Sequence, residues 1–307
     1  MLSVVLAAVT CGFTPLRASN SMSRARPITM QAQPYSADLP DENPEYTLIS
    51  TSLLSQLLNV EQAPSSTAPL PPSLRNRYFA LRHGQSESNV EGVISSDPAV
   101  GTVRHQLTTE GRLQARRAAT RLLDVVGRED LDSLVFVSSD FTRAKQTAEE
   151  ALTAVQAIVE YEMAVCKGDP SRPDAACELL AAPLSLGVVL TPLLRERWFG
   201  SLDTLPLKNY NKIWPRDLVS AQHTYCDVES VEAVTARIRQ LVVELEETYE
   251  GKAIVLASHA DTLQISQCYI AGADPRTFSM YRFRNGEVRE LQRTPDSLPA
   301  PVPLTYA

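Results

Sequence analysis

Two histidines and two arginines of this chain stand where short apolar runs end. Arg82-His83-Gly84 follows Tyr78–Leu81, and Ser258-His259 follows Ala253–Ala257. Leu134–Val137 leads into Ser138-Ser139-Asp140, with Arg143 and Thr147 beyond. Glu196 sits in Leu194-Arg195-Glu196 after Val188–Leu190, and Asn89 follows His83 closely. Arg-His-Gly alone is a weak signal, but these residue types together suit phosphoryl chemistry. A phosphoryl group carries about two negative charges at neutral pH. Two guanidinium forks can neutralise and orient it without a metal. An imidazole must attack phosphorus in its neutral form, and flanking cations push it there. A carboxyl group kept protonated beside the phosphate can give its proton to the leaving oxygen and then activate water.

Alternating strands and helices would have to position these groups. The runs at 78–81, 134–137, 188–190 and 253–257 read as buried strands. Thr108–Val126 reads as a helix capped by Thr108, with Leu113, Ala118, Leu122 and Val125 at helical spacing. Thr142–Val159, Ser230–Tyr249 and Asp261–Ile270 read as further helices. In the second of these, Val231, Val234, Ile238, Leu241, Val242 and Leu245 share one face, and Gly251 closes the helix. Met280–Leu291 holds Asn285-Gly286 between alternating runs, a hairpin signal. The alternation predicts an α/β fold: a mainly parallel central sheet with helices on both faces, in three layers. Such sheets bind ligands at the carboxyl ends of their strands, where every polar motif here falls.

Five motifs occur in order: Arg82-His83-Gly84, Leu107-Thr108-x-Glu110-Gly111, Ser138-Ser139-Asp140-x-x-Arg143-Ala144-x-x-Thr147, Leu194-x-Glu196 and Ser258-His259. On them the sequence resembles the histidine phosphatase superfamily, the phosphoglycerate-mutase-like fold, from about Arg77 to Leu291. The resemblance implies that His83 is a nucleophile forming a phosphohistidine. It implies that Arg82 and Arg143 hold the phosphoryl oxygens and that His259 is the second pocket histidine. Glu196 matches the usual proton donor, and Asn89 a pocket polar group. A small phosphorylated substrate is expected, with no cofactor and no metal.

Several positions depart from the family pattern. Ala260 stands where a glycine is usual, adding a Cβ beside the pocket. One branch takes its proton donor from an Asp directly after the second histidine; Asp261 stands two residues after His259 and so rivals Glu196, but that spacing is off by one and Glu196 is preferred. Glu196-Arg197-Trp198-Phe199-Gly200 looks partly like the mutase motif, but Phe199 lacks the hydroxyl of the mutase tyrosine. His223 and Thr224 stand where mutases place paired arginines, so no residue is found for a second anionic group. The preferred reading is a phosphomonoester hydrolase; the alternatives are a phosphoglycerate-type mutase and a catalytically idle binding or scaffold relative. Arg104, Arg197 and Lys208 are candidate supporting cations, and His105 and His223 are read as surface residues. Specificity is expected in the loops near Val93–Arg104 and Lys167–Pro183, the latter read as an inserted surface loop.

Of the residues, 44% are hydrophobic and 21% charged, as in an ordinary globular protein. A net charge of -7 argues against non-specific nucleic-acid binding. No stretch reaches the roughly 20 apolar residues of a membrane span. Residues 1–37 hold no Asp or Glu, while Arg17, Arg24 and Arg26 sit among serines. With the apolar run Leu2–Val9, this reads as a targeting leader, plastid-directed, with the cytoplasm or secretory pathway as alternatives. Residues 38–74 read as a mixed segment with a short helix at Ser50–Val60 and a Pro-rich linker at Ala63–Pro72. The catalytic domain is placed at 75–295 and a tail at 296–307. The cysteines show no metal-ligand spacing and are expected as free thiols, with Cys166–Cys177 the one pairing considered.

Overall fold

The computed structural model describes residues 47–48, 67–168, 187–302 and 305–306, all within the compact unit Ala37–Ala307. The strands are β1 (Thr47–Leu48), β2 (Arg77–Arg82), β3 (Leu134–Ser139), β4 (Val188–Thr191), β5 (Ala253–Ser258), β6 (Val288–Leu291) and β7 (Thr305–Tyr306). The helices are α1 (Glu87–Glu91), α2 (Pro98–Gly101), α3 (Thr109–Val126), α4 (Thr142–Gly168), α5 (Trp214–Val219), α6 (Val231–Thr248) and α7 (Ala260–Ala271). The central sheet runs β4-β3-β5-β2-β6. Its first four strands are parallel and β6 is antiparallel to β2. β1 and β7 pair as a separate antiparallel ribbon.

Period-two alternation along the strands produces the three layers. Tyr78, Ala80, Ile254 and Leu256 enter one core with the α6 residues Val234, Ile238 and Leu241. Phe79, Leu81, Val255 and Ala257 enter the other with Leu122 of α3 and Val155 of α4. Each large apolar side chain so buried contributes about 1.5–3 kcal/mol. β5, the middle strand, is buried along its whole length. A third cluster of Ile94, Phe199, Leu202, Ile213 and Val228 ties together the loops that carry Ser95 and Glu196. The predicted α/β architecture is therefore the observed one.

Four expectations change. α4 continues past Val159 to Gly168. Met280–Leu291 is no hairpin: Pro275–Met280 is a 3-10 helix and only Val288–Leu291 is a strand, paired with β2. The Asn285-Gly286 turn exists, but the Gly286 N–H reaches the Arg82 and His83 carbonyls. Packed structure begins before Arg75. The Thr67 N–H donates to Glu232 at 2.8 Å, the Tyr269 hydroxyl to the Ala68 carbonyl at 2.8 Å, and Leu70 joins the core. Cys166 is disulfide-bonded, so not every cysteine is a free thiol. Cys177, the leader, the Ser50–Val60 helix and most of the 167–183 loop lie outside the described residues. No described helix is long and apolar enough to cross a membrane.

Candidate active site

Where β2 ends, the His83 N–H donates to the Ser258 carbonyl of β5 at 2.9 Å, and the Asn285 amide donates to the His83 carbonyl at 2.9 Å. The chain then passes very close to the start of α3. A Cβ on Gly84 would lie 2.2 Å from the Gly111 carbonyl oxygen, and one on Gly111 2.0 Å from that of Gln85. Both glycines are needed for that approach. The Gly84 N–H donates to Thr147 Oγ1 at 3.0 Å, and the Thr147 hydroxyl donates to the Arg143 carbonyl at 2.7 Å. The first turn of α4 is thereby locked to the His83 loop.

His83 and His259 face each other, buried, with ring centroids 5.2 Å apart. Nδ1 of His83 lies 2.7 Å from the Gly84 carbonyl, which only accepts, so Nδ1 carries the proton and Nε2 presents its lone pair. Arg143 Nε donates to that lone pair at 3.3 Å. Burial first, then Arg143 and Arg82, hold His83 well below its ordinary pKa and keep it neutral. Burial and Arg143 do the same to His259. The Ser139 hydroxyl accepts from the Phe141 N–H at 3.2 Å and meets His259 Nε2 at 3.0 Å. His259 Nδ1 is buried without a partner.

Arg82 donates through Nη1 to the Phe283 carbonyl at 2.6 Å, and its Nε is likewise buried without a partner. Buried polar groups are rarely left unpaired, so the Arg82 Nε–H and the bare ring nitrogen of His259 mark a place for a bound polar group. Arg143 donates to the Ser95 carbonyl at 2.8 Å and to Ser95 Oγ at 3.2 Å. Burial lowers it to about 10, still charged at neutral pH. Behind it, the Ser95 hydroxyl meets His105 Nδ1 at 2.8 Å. His105 is 8% exposed and sits at a φ of 54°, so the surface reading fails for it.

Glu196 and Asp261 line the same cavity of about 160 Å³ as His83, Arg82 and Arg143. Glu196 Oε1 accepts the N–H groups of Arg197 at 3.0 Å and Thr262 at 3.3 Å. Asp261, 1% exposed, accepts from Trp214 Nε1 at 3.3 Å and lies 3.6 Å from Arg197 Nη1. Burial, then the charge of Glu196, raises Asp261 to about 7. Asn89 lines the cavity while its Oδ1 accepts from the Ser86 N–H at 3.1 Å, capping α1. Ala260 opens α7 with ordinary backbone, so its Cβ adds no strain.

The remaining candidates sit elsewhere. Arg197 is fully buried in a two-bond pair with Asp217, each bond 2.8 Å, and donates to the Glu229 carbonyl at 2.6 Å; it is a structural ion. His223 is no idle surface group, since its Nε2 meets Asp217 at 2.7 Å. Arg104 and Lys208 are exposed and outside the cavity. Phe199 is buried, its ring meeting that of Tyr210 edge-on at 4.9 Å, and Tyr210 lines the cavity. A tyrosine thus reaches the site from another position than the mutase one. Of the further residues at the site, Tyr210 carries no signal in the sequence, Asn285 appears there only as half of a turn dipeptide, Ser95 only within the Val93–Arg104 loop, and His105 only as a surface residue. No three His, Cys, Asp or Glu side chains among the described residues group as a metal site.

Two buried histidines and two buried arginines thus gather at the carboxyl ends of the parallel strands of an α/β protein, where such sheets bind ligands. The sequence profile of the histidine phosphatase superfamily (branch 1) matches residues 78–166 and 163–300. The chain belongs to that superfamily. A relative from Bacillus subtilis (strain 168), named uncharacterized phosphatase PhoE, is 23% identical over 195 residues, covering 64% of this chain and 77% of its own. Mycobacterial hydrolase 1 has a similar solved structure, with TM-score 0.50 and 22% identity over 70% of this chain and 88% of its own. The native mycobacterial glucosyl-3-phosphoglycerate phosphatase has TM-score 0.50 and 22% identity, covering 70% and 89%. These structural likenesses concern the fold.

Proposed function

We propose that the protein hydrolyses phosphomonoesters through a phosphohistidine on His83, without a metal. One observation carries this reading: the Nε2 lone pair of a neutral His83, which the Arg143 Nε–H meets at 3.3 Å, lies in one cavity with Arg82, whose Nε–H is buried without a partner, and its ring stands 5.2 Å from that of His259, whose Nδ1 is also buried without a partner. The phosphoryl oxygens would take the Arg82 Nε–H and the Arg143 guanidinium, which together offset the dianion's charge. His83 Nε2 attacks phosphorus, the bond to the leaving oxygen breaks, and that oxygen takes a proton from the carboxyl pair. Water then attacks the phosphohistidine and gives a proton to the carboxylate, releasing orthophosphate and free His83.

Glu196 is the family's donor, yet a specific observation favours Asp261 as the holder of the proton. Glu196 Oε1 already accepts two backbone N–H bonds, whereas Asp261, fully buried beside that carboxylate, is raised to about 7 by burial and then by the charge of Glu196. An alkyl phosphate needs a proton on its leaving group and 4-nitrophenyl phosphate does not. The donor's variant, Glu196→Gln or Asp261→Asn, should therefore lose far more activity on the alkyl ester. The substrate itself is a small phosphorylated compound that the cavity accommodates.

The test of the whole reading is phosphate release from phenyl phosphate with EDTA present. His83→Ala should lower kcat by about 10³-fold or more while the protein stays folded. A folded, inactive wild type would favour the scaffold reading, and phosphoryl transfer within phosphoglycerate the mutase. For localisation we take the acid-free leader as plastid-directed; a fluorescent fusion of residues 1–37 that stays cytoplasmic would refute this.

A further inference from the structure

The buried polar side chains of α7 are Asp261, Thr262, Gln264, Ser266 and Gln267. Asp261 accepts from Trp214, and Thr262 donates to the Arg195 carbonyl at 2.8 Å. Ser266 donates to the Thr262 carbonyl at 2.6 Å, and Gln267 to the Tyr281 carbonyl at 2.6 Å. Gln264 differs from the rest. It is 3% exposed and lines the cavity, and its Oε1 is buried without a partner. A buried amide oxygen left without a donor is costly, so its place calls for one.

Helix geometry carries this amide to the leaving-group side. Ala260, Asp261 and Gln264 line the cavity from α7 and share one face, as residues three and four apart do. Gln264 stands about 4.5 Å further along the axis than Asp261, and long side chains on a helix lean back toward its N-terminus. The amide is thereby carried beside the carboxyl group that serves the leaving oxygen, more than a turn beyond His259.

A hydroxyl is the group that fits there. It both donates and accepts, so it suits the amide in either of its two orientations. An anionic group would stand against the carboxyls of Glu196 and Asp261. An ammonium would be repelled by the guanidiniums of Arg82, Arg143 and Arg282, which line the same cavity.

We propose that Gln264 binds a hydroxyl on the leaving group, so that preferred substrates are hydroxylated alcohol phosphates, of the polyol or sugar kind, over simple alkyl phosphates. This deepens the phosphatase reading and rests on it. A site built to hydrogen-bond a substrate hydroxyl rejects the analogue lacking it, because its own buried polar group is then left unpaired.

The test uses non-hydrolysable ligands, so that it does not depend on turnover. Binding of 3-hydroxypropylphosphonate and of butylphosphonate, which differ by a hydroxyl against a methyl, is measured by calorimetry on the full chain. Wild type should bind the hydroxylated ligand at least about fivefold tighter, as one buried hydrogen bond would give. Gln264→Met keeps the side-chain length and removes the amide, and it should bring the two ligands to within about twofold. Gln264→Ala gives a second reading of the same loss, and Gln264→Glu, which keeps an acceptor, should retain part of the preference. Equal binding of both ligands by wild type would overturn the proposal, as would tighter binding of 3-aminopropylphosphonate than of the hydroxylated ligand. A full preference persisting in folded Gln264→Met would assign the hydroxyl to another residue and overturn it as well. Phenyl phosphate hydrolysis by wild type is followed in parallel. Its absence with the ligand preference intact counts against the phosphatase reading alone; its presence with equal binding counts against the hydroxyl site alone.

Discussion

His105 stands directly behind Arg143: its Nδ1 lies 2.8 Å from the Ser95 hydroxyl that accepts from the Arg143 guanidinium at 3.2 Å. Arg143 in turn donates to Nε2 of His83. His105 thus helps, through Ser95, to orient the guanidinium that meets His83. Ser95→Ala removes the shared hydroxyl and keeps the carbonyl contact. We expect kcat/KM to fall about tenfold with little change in unfolding midpoint, as one hydrogen bond to a charged group is worth about 1.5–3 kcal/mol. Unchanged kinetics would show that the carbonyl of Ser95 suffices.

Asp261 predicts a pH dependence of stability. Its ordinary value is 3.8 and its folded value about 7, because burial disfavours the carboxylate. Between these values the folded chain holds a proton that the unfolded chain lacks. Its stabilising contribution is therefore full below about pH 4 and lost as pH rises through about 7. Thermal midpoints of wild type should decline over that window, and Asp261→Asn should flatten the decline. The same window should contain the alkaline limb of kcat/KM. The acid limb should lie well below the ordinary histidine value, because His83 is held neutral.

Gly111→Ala tests the close approach at the start of α3. The added Cβ would meet the Gln85 carbonyl at 2.0 Å, and backbone on both sides must move. We expect a loss of about 2–4 kcal/mol in urea unfolding, together with lower activity as the His83 loop shifts. Gly187→Ala, whose added Cβ would meet nothing within 4 Å among the described residues, is the matched control and should cost far less.

Asp217→Asn tests whether Arg197 is structural. Arg197 and Asp217 are both fully buried, and removing one charge strands the other. Breaking such a pair costs about 3–5 kcal/mol, read as a lowered unfolding midpoint. A midpoint close to that of wild type would mean that the pair is replaced by water or by Asp261, its neighbour at 3.6 Å.

The sequence by itself determined the sheet, its covering helices and which side chains gather at the carboxyl ends of its strands. Strand and helix periods are local, and a strand directly followed by Arg82-His83 or Ser258-His259 places those side chains at one end of the sheet wherever the crossovers run. Local pattern could not say which polar residues stand behind them. Ser95 meets Arg143, Asn285 meets His83 and Arg282 meets Trp214 only because the crossovers and the β6 edge pairing bring remote segments together. Charges were the least legible in the chain. Arg197 and Arg143 are both arginines beside short motifs, yet one is buried against Asp217 and the other lines the cavity. Tertiary structure alone decides this, because burial and the nearest opposite charge, not residue type, determine what an ion does.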